Sequence, residues 1–144
     1  LADRIVQQFP GSEIVLIGSP AETGLAEQVL ASADPQTTTA ITSYVGKTSL
    51  PELLGVISSM NILVTGDTGP LHLALALKTP TLSLFVTESP ESSGPYQDRH
   101  LHRYVYLPMS DPRVTDKLEP LKAIPVDDVF TMLSEMKDSL QASA

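Results

Sequence analysis

Two rhythms of apolar and polar positions alternate along the chain. Near-continuous apolar runs occupy Glu13–Ile17 (EIVLI), Ile62–Val64 and the stretch that begins after Pro80 and ends at Phe85. Runs of this kind suit strands covered on both faces. Between and after them, apolar residues recur at helical spacing: Leu25, Ala26, Val29 and Leu30; Leu53, Leu54, Ile57 and Met60; Val129, Phe130, Leu133, Met136 and Leu140. The pattern predicts a helix up to Phe9, closed by Pro10-Gly11, and a strand over 13–17. A helix follows from the Ser19-Pro20-Ala21-Glu22 turn to about Ala31, then a short β-branched strand within 37–45. Ser49-Leu50-Pro51-Glu52 opens a helix through Met60, with a hydroxyl cap, an early proline and an early acid. Beyond Phe85, Val86–His102 reads as a long loop, Tyr104–Leu107 as an edge strand and Met109–Pro125 as irregular. An amphipathic helix covers about 126–140. Strands alternating with helices predict an α/β fold, a parallel sheet with helices on both faces and right-handed crossovers. A length of 144 residues suffices for a single domain spanning 1–144.

The stretch Ile62–Phe85 is the most specific. Its strand stops at Gly66, a polar turn Asp67-Thr68-Gly69 follows, and Pro70 opens a short apolar helix that ends near Lys78-Thr79-Pro80. A helix N-terminus after a small-residue turn offers unpaired N–H groups and the positive end of the helix dipole, which is an anion site. In open parallel sheets ligands bind beyond the carboxyl ends of the strands. Gly18-Ser19, Gly46-Lys47-Thr48, Gly66–Gly69 and Thr87-Glu88 all stand at such ends and are expected to share one edge.

Charge narrows the choice of ligand. The formal net charge is −8, which argues against nucleic acid and anionic membrane surfaces as partners and leaves at most peripheral membrane contact. A local site of backbone N–H groups could still hold an anion. No cysteine is present, so thiolate metal sites and disulfides are excluded. No apolar run reaches the roughly 20 residues of a membrane span. The start at Leu1 rather than Met suggests a fragment or a processed product.

Two readings stay open for several residues. Asp67 either caps the helix or accepts hydrogen bonds from a sugar hydroxyl. Gly69 either supplies a tight turn or lets a phosphate approach the backbone. Pro70 has no N–H, so backbone contacts would come from Thr68, Gly69, Leu71 or His72. His72 sits among apolar neighbours in the first helical turn, and a bound phosphate would give it a polar partner. Glu22 is a first-turn helix acid or a ribose ligand, and Lys47 a solvated lysine or a phosphate contact. His100 and His102 lack a third ligand for zinc and read as a surface cluster.

Asp67–Phe85 (DTGPLHLALALKTPTLSLF) resembles the signature of glycosyltransferase family 9, the heptosyltransferases and related enzymes of lipopolysaccharide core assembly. Gly46–Leu53 (GKTSLPEL), Gly18–Glu22 (GSPAE) and Pro90–Tyr96 resemble further landmarks, so the likeness spans roughly 14–96. It implies a GT-B enzyme, with two Rossmann-like domains facing across a cleft, of which this chain is the C-terminal, donor-binding one. The implied function is nucleotide-sugar binding for an inverting, bacterial, cytoplasmic glycosyltransferase of lipopolysaccharide or cell-surface glycan assembly. ADP-linked sugars are among the candidate donors, and no cofactor or metal is implied. Thr68, Gly69, Leu71 and His72 would meet the diphosphate, and Asp67 the donor sugar. Glu22 would bind the ribose, with Thr48 and Lys47 near the ribose and base. The acceptor site and the family's base belong to an N-terminal domain absent here, as does a short Thr- and Lys-bearing phosphate-holding segment. No catalytic residue is therefore expected in this stretch, and the isolated chain is expected to bind donor weakly without turnover. Val86-Thr87-Glu88 stands where the family usually has Gly-Pro-Thr, which crowds the region near the donor sugar. Readings from other classes are a non-catalytic nucleotide- or phosphate-binding module and a sugar-nucleotide epimerase-like domain.

Overall fold

The computed structural model describes residues 1–142, so the last two residues of the expected 1–144 domain lie outside the described residues. The chain divides into two compact units, Leu1–Leu53 and Leu54–Ala144. The described strands pair in two parallel sheets, one of two strands and one of three.

The first unit holds α1 (Ala2–Gln8), β1 (Ile14–Leu16), α2 (Thr23–Ser32), α3 (Pro35–Thr39) and β2 (Ile41–Ser43). Its sheet pairs β1 with β2, Ile14 opposite Ile41. Val6, Ala26, Thr37 and Val45 are buried. The short strand expected within 37–45 is Ile41–Ser43, and α3 takes the residues before it. Pro35 opens α3 from Asp34, with the proline in the first turn where its missing N–H costs nothing. The threonines then bond back onto their own turn: Thr38 Oγ1 donates to Asp34 O at 3.1 Å and Thr39 Oγ1 to Gln36 O at 2.7 Å. Such local bonds offset the weak helix propensity of β-branched residues. Asp3 Oδ1 accepts the Asp34 N–H at 2.9 Å, which ties α1 to the start of α3.

Helix α4 (Leu50–Ser59) spans the division between the units. The second unit continues with β3 (Leu63–Gly66), α5 (Gly69–Leu77), β4 (Thr81–Phe85), α6 (Pro90–Ser93), β5 (His102–Tyr106) and α7 (Val126–Ala142). Its strands run in the order β3-β4-β5, all parallel. The central strand is buried on both faces: Thr81, Leu82 and Ser83 have no exposed surface, as expected of a parallel strand covered on both sides. At its start Thr81 Oγ1 lies 2.9 Å from Nδ1 of the buried His102, its ladder partner. That buried polar pair begins β5 two residues before the expected Tyr104, and it corrects the reading of His102 as part of a surface cluster. Helix α5 ends at Lys78, whose φ of 58° puts a lysine in the left-handed conformation usual for glycine at helix ends. Within the expected loop after Phe85 lies the single turn α6, where Ser89 Oγ accepts the Glu91 N–H at 3.1 Å. Helix α7 packs on β5 and buries Val129, Phe130, Leu133 and Met136, the expected apolar face.

Candidate functional site

Register sets the site in the second unit. Gly66 lies opposite Leu84 in the ladder, so Asp67 leaves the sheet beside Phe85, the last residue of β4, at the carboxyl edge. Thr68, extended at φ −142°, is the N-cap of α5, and Gly69 is its first residue. No side chain caps this helix start. The Thr68 hydroxyl turns to Thr65 instead, 3.2 Å from Thr65 Oγ1. Asp67 is therefore not the cap. Its carboxylate lies 3.7 Å from His72 Nε2.

His72 gains its polar partner without a ligand. The turn of the helix sends Leu71 and Ala74 inward, both fully buried, and His72 outward, with its side chain 60% exposed. The expectation was that a bound phosphate would give His72 its polar partner, and Asp67 already supplies one. The Leu71 N–H donates to Thr68 O at 3.0 Å. Of the backbone donors at the turn it is thus already engaged, whereas the N–H of a first helical residue such as Gly69 has no intrahelical acceptor. Gly69 is not among the glycines with positive φ, and a Cβ built on it meets nothing within 4 Å. The turn does not need glycine there. Open space alone is not a signature, since Gly24 and Gly55 share it; what singles out Gly69 is its place at the uncapped helix end.

Beside this turn lies a cleft of about 400 Å³. Gly66, Asp67 and Thr68 line it, with Leu84–Glu88 from the end of β4. A further wall comes from Leu118–Lys122, which overlaps the 3₁₀ turn Pro120–Ala123. Leu121 Cδ1 sits 3.6 Å from where a Cβ on Gly66 would be, so this wall rests on the strand end. Glu119 and Lys122 form an ion pair. Nothing in the periodicity of 109–125 pointed to the site; the exposed apolar Leu118 and Leu121, 94% and 45% exposed, stand out once the fold is known.

The first unit collects the remaining candidates at the carboxyl edge of its own sheet. The Gly46 N–H donates to Gly18 O at 2.9 Å, joining the two strand ends. Gly46 is at φ +69°, and a Cβ there would come within 3.0 Å of Pro20 Cα, so both backbone shape and space require glycine. Glu22 Oε2 accepts the Ser19 N–H at 2.7 Å and the Ser19 hydroxyl at 2.8 Å, and these bonds hold its carboxyl below the ordinary value. Glu52 repeats the arrangement with Ser49 at 2.8 and 2.6 Å. Both acids thus serve as helix-start devices. Lys47 Nζ donates to Ser43 O at 2.9 Å, and Thr48 is half-buried in the segment leading to α4.

The combination of strand end, uncapped helix start and flanking cleft is common to many α/β proteins, and comparison with known proteins decides among them. The family model for glycosyltransferase family 9 (heptosyltransferase) matches residues 2–121. The chain belongs to this family. Among family 9 relatives, lipooligosaccharide heptosyltransferase 2 of Haemophilus influenzae is 27% identical over 99 residues, 69% of this chain and 28% of that protein. Lipopolysaccharide heptosyltransferase 3 of Escherichia coli is 29% identical over 133 residues, covering 90% of this chain and 38% of that protein. The solved structure of E. coli ADP-heptose lps heptosyltransferase II matches with a TM-score of 0.78 at 23% identity, over 99% of this chain and 40% of that one. The family 9 glycosyltransferase of Veillonella parvula matches with a TM-score of 0.74 at 21% identity, over 97% of this chain and 39% of that one. At those identities the structural matches speak for the fold: the expected α/β, GT-B type. This family 9 chain therefore spans well under half the length of these relatives.

Among the described residues no group of three or more His, Cys, Asp or Glu is placed to hold a metal ion, and no helix is long and apolar enough to cross a membrane.

Proposed function

We propose that this chain is the nucleotide-sugar-binding part of an inverting glycosyltransferase of lipopolysaccharide or related bacterial cell-surface glycan assembly. The observation that carries the reading is the turn Asp67–His72: a helix of nine residues, uncapped by any side chain, opening beside a cleft in a family 9 sequence. The N–H groups of Thr68 and Gly69 take the donor diphosphate, with His72 reaching it from the first turn. Asp67 accepts a hydroxyl of the donor sugar. As the glycosidic bond breaks, charge builds on the departing diphosphate, and donors fixed at a helix N-terminus stabilise it without reorganising. The acceptor and the base that deprotonates it are assigned to a part of the full-length enzyme beyond this stretch. The setting is the bacterial cytoplasm, with at most peripheral membrane contact.

The test is made on the full-length enzyme. Asp67→Asn and His72→Ala, each with an unchanged melting temperature, are expected to lower transfer from the nucleotide sugar by about a hundredfold. Wild-type transfer by both variants would contradict the reading. Nucleotide binding without transfer to any acceptor by the wild type would favour a non-catalytic nucleotide-binding module.

A further inference from the structure

Threonine is a preferred helix cap, and Thr68 has the extended backbone of one, at φ −142° and ψ 173°. Its side chain nevertheless makes no capping bond. Pro70 stands second in the helix and has no N–H, so a capping hydroxyl would have to take the N–H of Leu71, the third residue. The Leu71 N–H instead donates to the Thr68 carbonyl oxygen, at 3.0 Å. Both branches of the Thr68 side chain turn back toward the strand before it. Oγ1 lies 3.2 Å from Thr65 Oγ1, and Cγ2 lies 3.9 Å from where a Cβ on Gly66 would stand. The hydroxyl is thus held off the helix end.

The sheet fixes the residue that holds it. Thr65 is the third residue of β3 and pairs with Ser83 of the fully buried central strand. A threonine side chain is stiff at χ1, so Thr68 switches between discrete rotamers rather than drifting. With its hydroxyl on Thr65, the helix end is open. With its hydroxyl on the Leu71 N–H, an oxygen lies across the helix end and competes with a phosphate oxygen for the donors there. A cap bond and a hydroxyl–hydroxyl bond are of similar strength, so a single hydroxyl at residue 65 tips the balance.

We propose that Thr65 is a positioning residue of the donor site proposed above, on which this inference rests. Its hydroxyl holds Thr68 away from the end of α5 and keeps that end open to the donor diphosphate. Without it Thr68 caps its own helix, and the diphosphate has to displace the cap. The apparent affinity then falls in proportion to the fraction of molecules left uncapped.

The experiment is calorimetric titration of the full-length enzyme with ADP, UDP and GDP. For whichever nucleotide binds, Thr65→Val, which keeps the shape and removes the hydroxyl, is expected to weaken binding about fivefold. Thr65→Ala is expected to weaken it by a similar factor, and Thr65→Ser to stay within about twofold of the wild type. In a Thr68→Val background, which has no hydroxyl to cap with, Thr65→Val is expected to change the affinity by less than about twofold. Loss of a purely structural contact would not cancel in that way. Three-bond couplings are expected to show Thr68 moving to a second χ1 rotamer in Thr65→Val. Undiminished binding by folded Thr65→Val or Thr65→Ala overturns the role of Thr65 and leaves the donor site standing. So does a loss that Thr65→Ser shares, or one that persists in the Thr68→Val background. A folded wild type that binds none of the three nucleotides overturns the donor-site reading, and this proposal with it.

Discussion

Replacing Gly69 by alanine separates what the fold needs from what a bound diphosphate needs. Gly69 is the first residue of α5, has no left-handed φ, and a Cβ at that position meets nothing within 4 Å. The methyl group therefore strains nothing in the folded chain. It does restrict the unfolded chain, which stabilises the protein by roughly 0.4–1 kcal/mol. For a chain of this size that corresponds to a rise in melting temperature of about 1–4 °C. The effect on a ligand has the opposite sign. A phosphate oxygen bonded to the Gly69 N–H approaches to about 2.9 Å, and a side chain beside that path pushes it away. Losing one hydrogen bond to a charged group costs about 1.5–3 kcal/mol, or roughly a 10- to 150-fold rise in Kd. Thermal melts without ligand and titrations with ADP, UDP and GDP read the two effects separately. Unchanged affinity would show that no phosphate approaches Gly69. A melting temperature lowered by several degrees would refute the claim that the turn tolerates a side chain.

Leu71→Ala tests the packing beneath the same helix: Leu71 is fully buried, and the loss expected in urea denaturation is about 2–5 kcal/mol. A loss below about 1 kcal/mol would contradict its place in the core. Burial holds His102 below its ordinary value of 6.5, so the folded chain binds fewer protons than the unfolded one. Stability is then full above about pH 6.5 and declines as the pH falls through the window below it. Urea midpoints at about pH 7.5 and about pH 5.5 are expected to differ in that direction, and His102→Gln to flatten the difference. The Arg113 side chain and N–H hold the Asp111 carboxyl down to about 2. Its NMR titration midpoint is expected there, and Arg113→Ala is expected to bring it back toward 3.8.

Much of the second unit was legible because local signals agreed. An apolar run, a glycine stop, a polar turn and a proline-led helix each specify the same strand–turn–helix, and the structure has them at Leu63–Gly66 and Gly69–Leu77. The Ser19–Glu22 and Ser49–Glu52 spacings announce helix starts, and both acids bond back to their serines. Thr37–Thr39 join α3 rather than the strand because β-branching favours strands only weakly, and Pro35 with local hydroxyl bonds outweighs it. The partner of His72 was hidden for a geometric reason: successive residues are turned about 100° around a helix, so apolar residues at 71 and 74 do not fix the surroundings of residue 72. The wall at Leu118–Lys122 was illegible in principle. It carries no periodicity, and only the folding of the chain onto Gly66 brings it to the cleft.

The site itself is tested most directly by amide chemical-shift mapping of the isotope-labelled chain during titration with ADP, UDP and GDP. Saturable shifts, largest at Thr68, Gly69 and His72, are expected from at least one of the three nucleotides. A folded sample whose shifts under all three are absent, or confined to residues away from that turn, would contradict it.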